Sequence, residues 1–221
     1  MDIGKPLIDY GAIDAGALRD KMLSLPPAFW EADLVSREKV AGDRPGNAVF
    51  FYNPMPPGVR RFILAEAQSG QVSVLRYRDR PLFAEIRDLI DRHIQPLFPD
   101  CDLMWAQLAE LPPGGVITPH SDRHILARVH RLHVPLVTHE KVEFMIDGQV
   151  FYLKPDRLYD LNNVATHAVT NNSDVMRVHL LVDMMPHSLA RARYFDDLAE
   201  MTAAVEAFTP PMEPVAPRAL S

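Results

Sequence analysis

Cysteine is almost missing from this sequence: Cys101 is the single one among 221 residues. That excludes an intramolecular disulfide and a thiolate metal cluster. Long apolar runs are missing as well, and no stretch approaches the roughly 18 consecutive apolar residues of a membrane span. The amino terminus, Met1-Asp-Ile-Gly-Lys-Pro, carries an acid at once and has no apolar h-region, so no secretory signal is read there. A cytoplasmic location is the expectation. Long basic runs are absent too, and the formal net charge is -6. Neither a nucleic acid nor an anionic membrane is therefore expected as a partner.

Glycine is scarce against proline, ten residues to twenty. Pro54, Pro56, Pro57, Pro81, Pro112, Pro113, Pro119, Pro135 and Pro155 punctuate the chain at short intervals. Proline breaks helices and is poorly tolerated in central strands, so many short elements joined by rigid corners are expected. Hydrophobic residues make up 48% and charged residues 24%, the balance of a soluble globular protein large enough for one domain with a real core.

Ala12 to Leu25 and Pro81 to Leu97 read as helices. In the second, Leu82, Ile86, Leu89, Ile90 and Ile94 recur at helical spacing, opposite Glu85, Arg87, Asp88 and Arg92. Strands are expected at Asn47 to Asn53 and Val72 to Tyr77. From Leu103 onward, short runs rich in β-branched and aromatic residues follow one another. Strands are placed at 103–110, 115–119, 128–137, 142–146, 150–153, 157–161, 167–170 and 175–183. Asp147-Gly148 is a strong hairpin signal, since both residues tolerate positive φ. Eight strands in so short a stretch fit a double-stranded β-helix, a cupin-like jelly roll, in a mainly β protein with flanking helices. The expected organisation is one domain over 1–208. Within it, 1–102 is supporting structure, 103–186 is the catalytic jelly roll and 187–208 is a C-terminal helix. A loose proline-rich tail follows over 209–221.

His120-Ser121-Asp122 follows the apolar segment Gly115-Val-Ile-Thr-Pro, and His167 opens a later strand. Two imidazoles and one carboxylate on one face of a metal, with the other positions open, make the facial triad of non-haem iron(II) oxygenases. A bare His-x-Asp is weak by itself, and a capped surface loop is the competing account. Arg177 adds to it, because it interrupts the apolar run Val175-Met-Arg-Val-His-Leu-Leu-Val. A guanidinium in a core strand is costly to desolvate unless it meets an anion. Its fork suits a carboxylate such as the distal one of 2-oxoglutarate, with a structural ion pair to a buried Asp or Glu, or a simply exposed strand face, as the alternatives. Arg131 and His133 share one strand face in Arg131-Leu-His-Val-Pro-Leu, which lines the barrel mouth or is simply its wet side.

The segment Leu111-Pro-Pro-Gly-Gly-Val-Ile-Thr-Pro-His-Ser-Asp, then Arg131-Leu-His-Val-Pro-Leu, Gly148, Asn162-Asn163, His167 and Arg177-Val-His-Leu-Leu-Val-Asp, resembles the aspartyl/asparaginyl β-hydroxylase family of Fe(II)- and 2-oxoglutarate-dependent dioxygenases. The resemblance runs from about Ala106 to Pro186. It implies that His120 and His167 ligate iron, that Arg177 binds the distal carboxylate of 2-oxoglutarate, and that Arg131 and His133 bind its other end. Asp122 completes the ligand set where the best-known animal members have glycine. The cofactors implied are Fe(II), 2-oxoglutarate and O2, with ascorbate as a stimulant.

The expected reaction is hydroxylation of an unactivated C–H of an amino-acid-type or peptidyl, Asp- or Asn-like substrate. The alternatives are a cupin-like metal enzyme that does not use 2-oxoglutarate and a non-catalytic jelly-roll binding module. His124, His130, His139 and His179 are expected to face solvent or stand behind the site, with His179 also able to help hold an anion. Trp105 and Gln107 should flank it. Trp30, Phe50, Phe51 and Tyr52 are candidates for a substrate pocket floor, and Arg60, Arg61, Arg76 and Arg78 for a substrate carboxylate.

Overall fold

Alternation along a strand sends successive side chains to opposite sides of a sheet. In β6, His130–Val137, it turns Leu132, Val134 and Leu136 one way and Arg131 and His133 the other. In β11, Arg177–Pro186, it turns Val178, Leu180, Val182 and Met184 one way and Arg177, His179 and Asp183 the other. The fold is built so that the apolar set meets helices and the polar set meets a second sheet.

The computed structural model describes residues 1–26, 60–68, 71–73 and 82–188. The chain begins with β1, Leu7–Ala12, α1, Gly16–Ser24, β2, Arg60–Gln68, and β3, Gln71–Ser73. Helix α2, Phe83–Leu89, runs on into a π turn, Ile90–Ile94, and a 3₁₀ turn, Gln95–Leu97. There follow β4, Cys101–Leu111, β5, Val116–His120, a 3₁₀ turn, His124–Arg128, and β6. The last strands are β7, Val142–Ile146, β8, Gln149–Phe151, β9, Arg157–Leu161, β10, His167–Asn171, and β11.

Every pairing among the described strands is antiparallel. The larger sheet has the order β1-β9-β6-β11-β4-β2-β3 and the smaller β5-β10-β7-β8. One core cluster joins Leu18 and Met22 of α1 and Ile86 and Leu89 of α2 to Leu108, Leu132, Val134 and Leu180 of the larger sheet. A second joins Leu111, Tyr159 and Leu161 of that sheet to Val142, Phe144, Ile146 and Val169 of the smaller one. The helices thus cover the outer face of the larger sheet, and the two sheets close on each other in the expected double-stranded β-helix.

Several boundaries differ from expectation for physical reasons. Ala12 still belongs to β1, and α1 starts only at Gly16. Strand β1 was not foreseen; it lies on one edge of the larger sheet against β9, while β2 and β3 lie at the other edge beyond β4. The second helix buries its expected stripe of Ile86, Leu89, Ile90 and Ile94, but ends in π and 3₁₀ turns at Pro96, which has no N–H to continue the ladder. His124–Arg128 is a 3₁₀ turn, so β6 begins at His130 rather than Arg128. The strand expected at Asn47 to Asn53, all but the first two residues of that at Val72 to Tyr77, all but the first two of the helix from His187, and the tail lie outside the described residues. So do Trp30, Phe50, Phe51, Tyr52, Arg76 and Arg78, while Arg60 and Arg61 open β2.

Two turns bring the ends of β4, β5 and β11 together. Asn171 donates its amide to the carbonyls of Leu111 (2.9 Å) and Val175 (2.8 Å), and its Oδ1 accepts from Ser173. Its backbone exchanges hydrogen bonds with Gly114 and Gly115. A Cβ on Gly115 would lie 2.7 Å from Leu111 Cδ1 and 2.8 Å from the Pro112 carbonyl oxygen. A Gly115→Ala variant is therefore expected to lose about 1–3 kcal/mol, the usual cost of overpacking. A denaturant midpoint equal to that of the unchanged protein would show that this turn can open.

Candidate metal centre and its anion-binding wall

His120 is the last residue of β5, Asp122 lies two residues beyond, and His167 opens β10, where it pairs with His120. One ligand atom from each of the three lies within 4.8 Å of the others, and the two imidazole centroids are 4.2 Å apart. His120 Nδ1 lies 2.8 Å from the Thr118 carbonyl oxygen and His167 Nδ1 lies 3.0 Å from that of Ala165. A carbonyl can only accept, so both Nδ1 atoms carry the proton and both Nε2 lone pairs are left open. Burial, partly offset by the Ala165 carbonyl, lowers the pKa of His167, which favours the neutral ligand form.

Asp122 is held from two sides. Its backbone N–H donates to the Asn163 carbonyl (2.8 Å), and its Oδ2 accepts from Arg131 Nη1 (2.7 Å). Oδ1 remains for a metal. Each of the three residues thus has one atom anchored to the protein and one free, and two nitrogens with one carboxylate oxygen suit iron(II). The donor set fits the metal that the sequence implies.

Arg131 is fixed in turn by Asp183, with Nε to Oδ1 at 2.9 Å and Nη2 to Oδ2 at 2.8 Å. Burial works against its charge, but Asp122 and Asp183 outweigh burial and raise its pKa above the ordinary arginine value. Three of its five N–H donors are committed to these carboxylates, so its first task is to hold Asp122 rather than to stand free for a co-substrate. The sequence reading did not assign Asp183. Its signal was an acid of the same parity as Arg177 and His179 at the end of an apolar run.

Arg177 is 2% exposed and its Nε has no hydrogen-bond partner. Among the described residues no carboxylate pairs with it; its guanidinium carbon stands 5.2 Å from the centre of the Phe144 ring. Burial alone pushes its pKa down to about 9. Of the alternative accounts of this residue, an exposed strand face is contradicted by its burial, and a structural ion pair is not seen among the described residues.

His133 and His179 stand beside it on the same wall. Their Nδ1 atoms are 3.4 Å apart, and the His179 ring stacks on Phe144 at 5.4 Å and 10°. Of the two places expected for His179, facing solvent or behind the site, the structure shows the second: it is fully buried, and its Nε2 has no partner among the described residues. His130 is half-buried, with Nδ1 2.6 Å from Asp160 Oδ2 on the helix side of the sheet, whereas His139 accepts from the Lys141 N–H at the surface. Gln107 is buried on β4 with Oε1 unpartnered. The side chains of Trp105, His124, Arg60 and Arg61 lie outside the described residues.

Burial first, then the positive charge of Arg177, hold both His133 and His179 well below the ordinary imidazole pKa. Below pH ~6.5 the unfolded chain takes up protons that these two folded imidazoles refuse, so stability is present above that pH and falls beneath it. Each contributes a slope of up to about 1.4 kcal/mol per pH unit. Chemical denaturation between roughly pH 7 and pH 5 should show this loss, and a His179→Phe variant should show a shallower slope. An unchanged slope would mean that His179 charges freely in the folded protein.

Residues 77–186, about half of the 221-residue chain, match the aspartyl/asparaginyl β-hydroxylase family model. The match contains all the residues of the metal centre and its wall. No curated protein matches the sequence. Among solved structures, a 2OG-Fe(II) oxygenase-family oxidoreductase from Burkholderia pseudomallei is 14% identical over 80% of this chain and 93% of its own, with a TM-score of 0.47. A Pseudomonas putida prolyl-4-hydroxylase is 15% identical over 78% and 98%, with a TM-score of 0.38. A cupin domain from Bordetella pertussis is 21% identical over 38% and 82%, with a TM-score of 0.31. Likenesses this loose stand beside the family match without adding weight to it. No described helix is long and apolar enough to cross a membrane. The chain belongs to the aspartyl/asparaginyl β-hydroxylase family of Fe(II)- and 2-oxoglutarate-dependent dioxygenases.

Proposed function

We propose that this protein hydroxylates an unactivated C–H bond of an amino-acid-type or peptidyl substrate at a centre where His120, Asp122 and His167 hold iron(II). Arg177 carries the reading. A buried guanidinium without a carboxylate partner is costly unless an anion arrives, and it stands on the wall shared with the metal centre. A dicarboxylate with one end at the metal and the other on Arg177 answers both requirements. 2-Oxoglutarate has that shape.

When bound, iron with 2-oxoglutarate and O2 supplies the oxidising power for C–H hydroxylation, with release of succinate and CO2. The chain contributes placement and charge. The Thr118 and Ala165 carbonyls keep both Nε2 atoms aimed at the metal. Asp183 holds Arg131, which turns Asp122 so that one oxygen stays open. The two N–H groups left on Arg131 and the imidazole of His133 are available to the metal-chelating end of the co-substrate. Phe144 lies beside Arg177 and His179, an apolar surface that keeps water from screening the ion pair formed there.

The test is succinate release from 2-oxoglutarate with iron(II) added anaerobically, ascorbate as reductant and air then admitted. Free amino acids and short Asp- or Asn-containing peptides are screened as stimulants. The expected result is iron-dependent succinate raised by members of that set and abolished in a His167→Ala variant. Succinate that no member raises would reject the substrate class, and none at all would reject the reaction.

A further inference from the structure

We infer that His179 is a positioning residue that locks His133 into the Nε2–H tautomer, giving the co-substrate site an uncharged hydrogen-bond donor. The inference rests on the reading of His133 as a group that faces 2-oxoglutarate.

The Nδ1 atoms of His133 and His179 lie 3.4 Å apart. Only one proton can occupy that contact, so one imidazole carries Nδ1–H and the other accepts with a bare Nδ1 and carries its proton on Nε2. The two rings therefore hold opposite tautomers. Which is which follows from the surroundings of His179. Its Nε2 is buried and has no partner among the described residues, so a proton there would be an orphaned N–H. Orphaned buried donors are rarer in folded proteins than acceptors left unfilled. His179 is thus the donor through Nδ1–H, and His133 accepts and keeps its proton on Nε2.

Three further facts support the assignment. Both rings are held neutral by burial and by Arg177, so the contact is not an imidazolium bridge. The His179 ring is stacked on Phe144, which keeps it from turning its other edge to His133. The charges that act on His133 are those of Arg177, on the anion-binding wall, and Arg131, which holds Asp122. A donor there serves an anion without adding a third positive charge beside Arg131 and Arg177.

The experiment is long-range ¹⁵N–¹H NMR of the imidazoles in full-length, zinc-loaded protein labelled at its nine histidines, with assignments from single variants. The expected spectrum has His179 as Nδ1–H and His133 as Nε2–H. His133 as Nδ1–H, or both rings as Nε2–H, would overturn the lock. Unlabelled 2-oxoglutarate is then added. A shift at His133 Nε2 is expected; no shift would overturn its role toward the co-substrate while leaving the tautomer result intact.

Kinetics give an independent readout. His179→Phe removes the donor, whereas His179→Asn puts an amide N–H near the Nδ1 position. The KM for 2-oxoglutarate should rise about tenfold in the first, as for one hydrogen bond lost from a charged acceptor, with kcat less affected. It should recover in the second. Equal KM values in both variants and the unchanged protein would overturn the inference. Should His179→Phe fail to fold, the His179→Asn spectrum still decides, since His133 must remain Nε2–H in it.

Discussion

Replacing Arg177 with methionine is expected to give a protein that is more stable by itself and indifferent to 2-oxoglutarate. The two effects have one origin. In the ligand-free protein the Arg177 guanidinium is 2% exposed, its Nε is unpartnered and its pKa is pushed down to about 9 by burial. Methionine fills a similar volume without a charge to desolvate, and replacing buried ionic groups by apolar ones commonly stabilises by about 1–4 kcal/mol. With the fork gone, the distal carboxylate loses paired, charge-assisted hydrogen bonds, and affinity should fall by about a hundredfold or more. Thermal melts with and without 2-oxoglutarate, metal present in both, read the two effects together. A variant that melts lower and still shifts with 2-oxoglutarate would make Arg177 a structural residue.

The next largest effect is expected at Asp122. Its Oδ2 is held by Arg131 and its backbone by Asn163, which leaves one carboxylate oxygen aimed with the open nitrogens of His120 and His167. Asp122→Ala should lower iron(II) affinity at least as far as the 10–100-fold typical of losing a residue that only orients a ligand. It should also uncouple succinate release from product. Asp183→Asn reaches the same centre without touching a ligand, because it loosens Arg131. A loss of about 10–100-fold is expected there. Isothermal titration of metal into the two variants separates the roles. Unchanged affinity in Asp122→Ala would mean that two histidines suffice, as the glycine at this place in the best-known animal members implies for them.

Much of this was legible because turn chemistry and strand parity are local. Asp147 and Gly148 take φ of 50° and 73°; the strand before that corner falls where the sequence places it, and the one after it begins one residue earlier and ends two residues sooner than expected. Parity put Arg131 with His133 and Arg177 with His179 before any contact was known. The missed features depend on partners distant in sequence. Leu7–Ala12 has little alternation of its own and becomes a strand by pairing with Arg157–Leu161. Arg131 was read as facing the co-substrate or solvent, and its ion pair with Asp183, 52 residues away along the chain, was not foreseen. His179 was left between solvent and a place behind the site, because parity alone does not say what covers a strand face; the packing of Phe144 from the other sheet shows it to be buried.

On the proposed function, one wall of this fold joins a metal centre to a carboxylate site, so that the two act as one chelating pocket. Calorimetric titration of 2-oxoglutarate into the protein, metal-free and manganese-loaded under exclusion of iron, tests it most directly. The account predicts one site whose affinity rises sharply with metal and collapses in both His167→Ala and Arg177→Met. Binding that is equally strong without metal, or that survives the loss of Arg177, would contradict it.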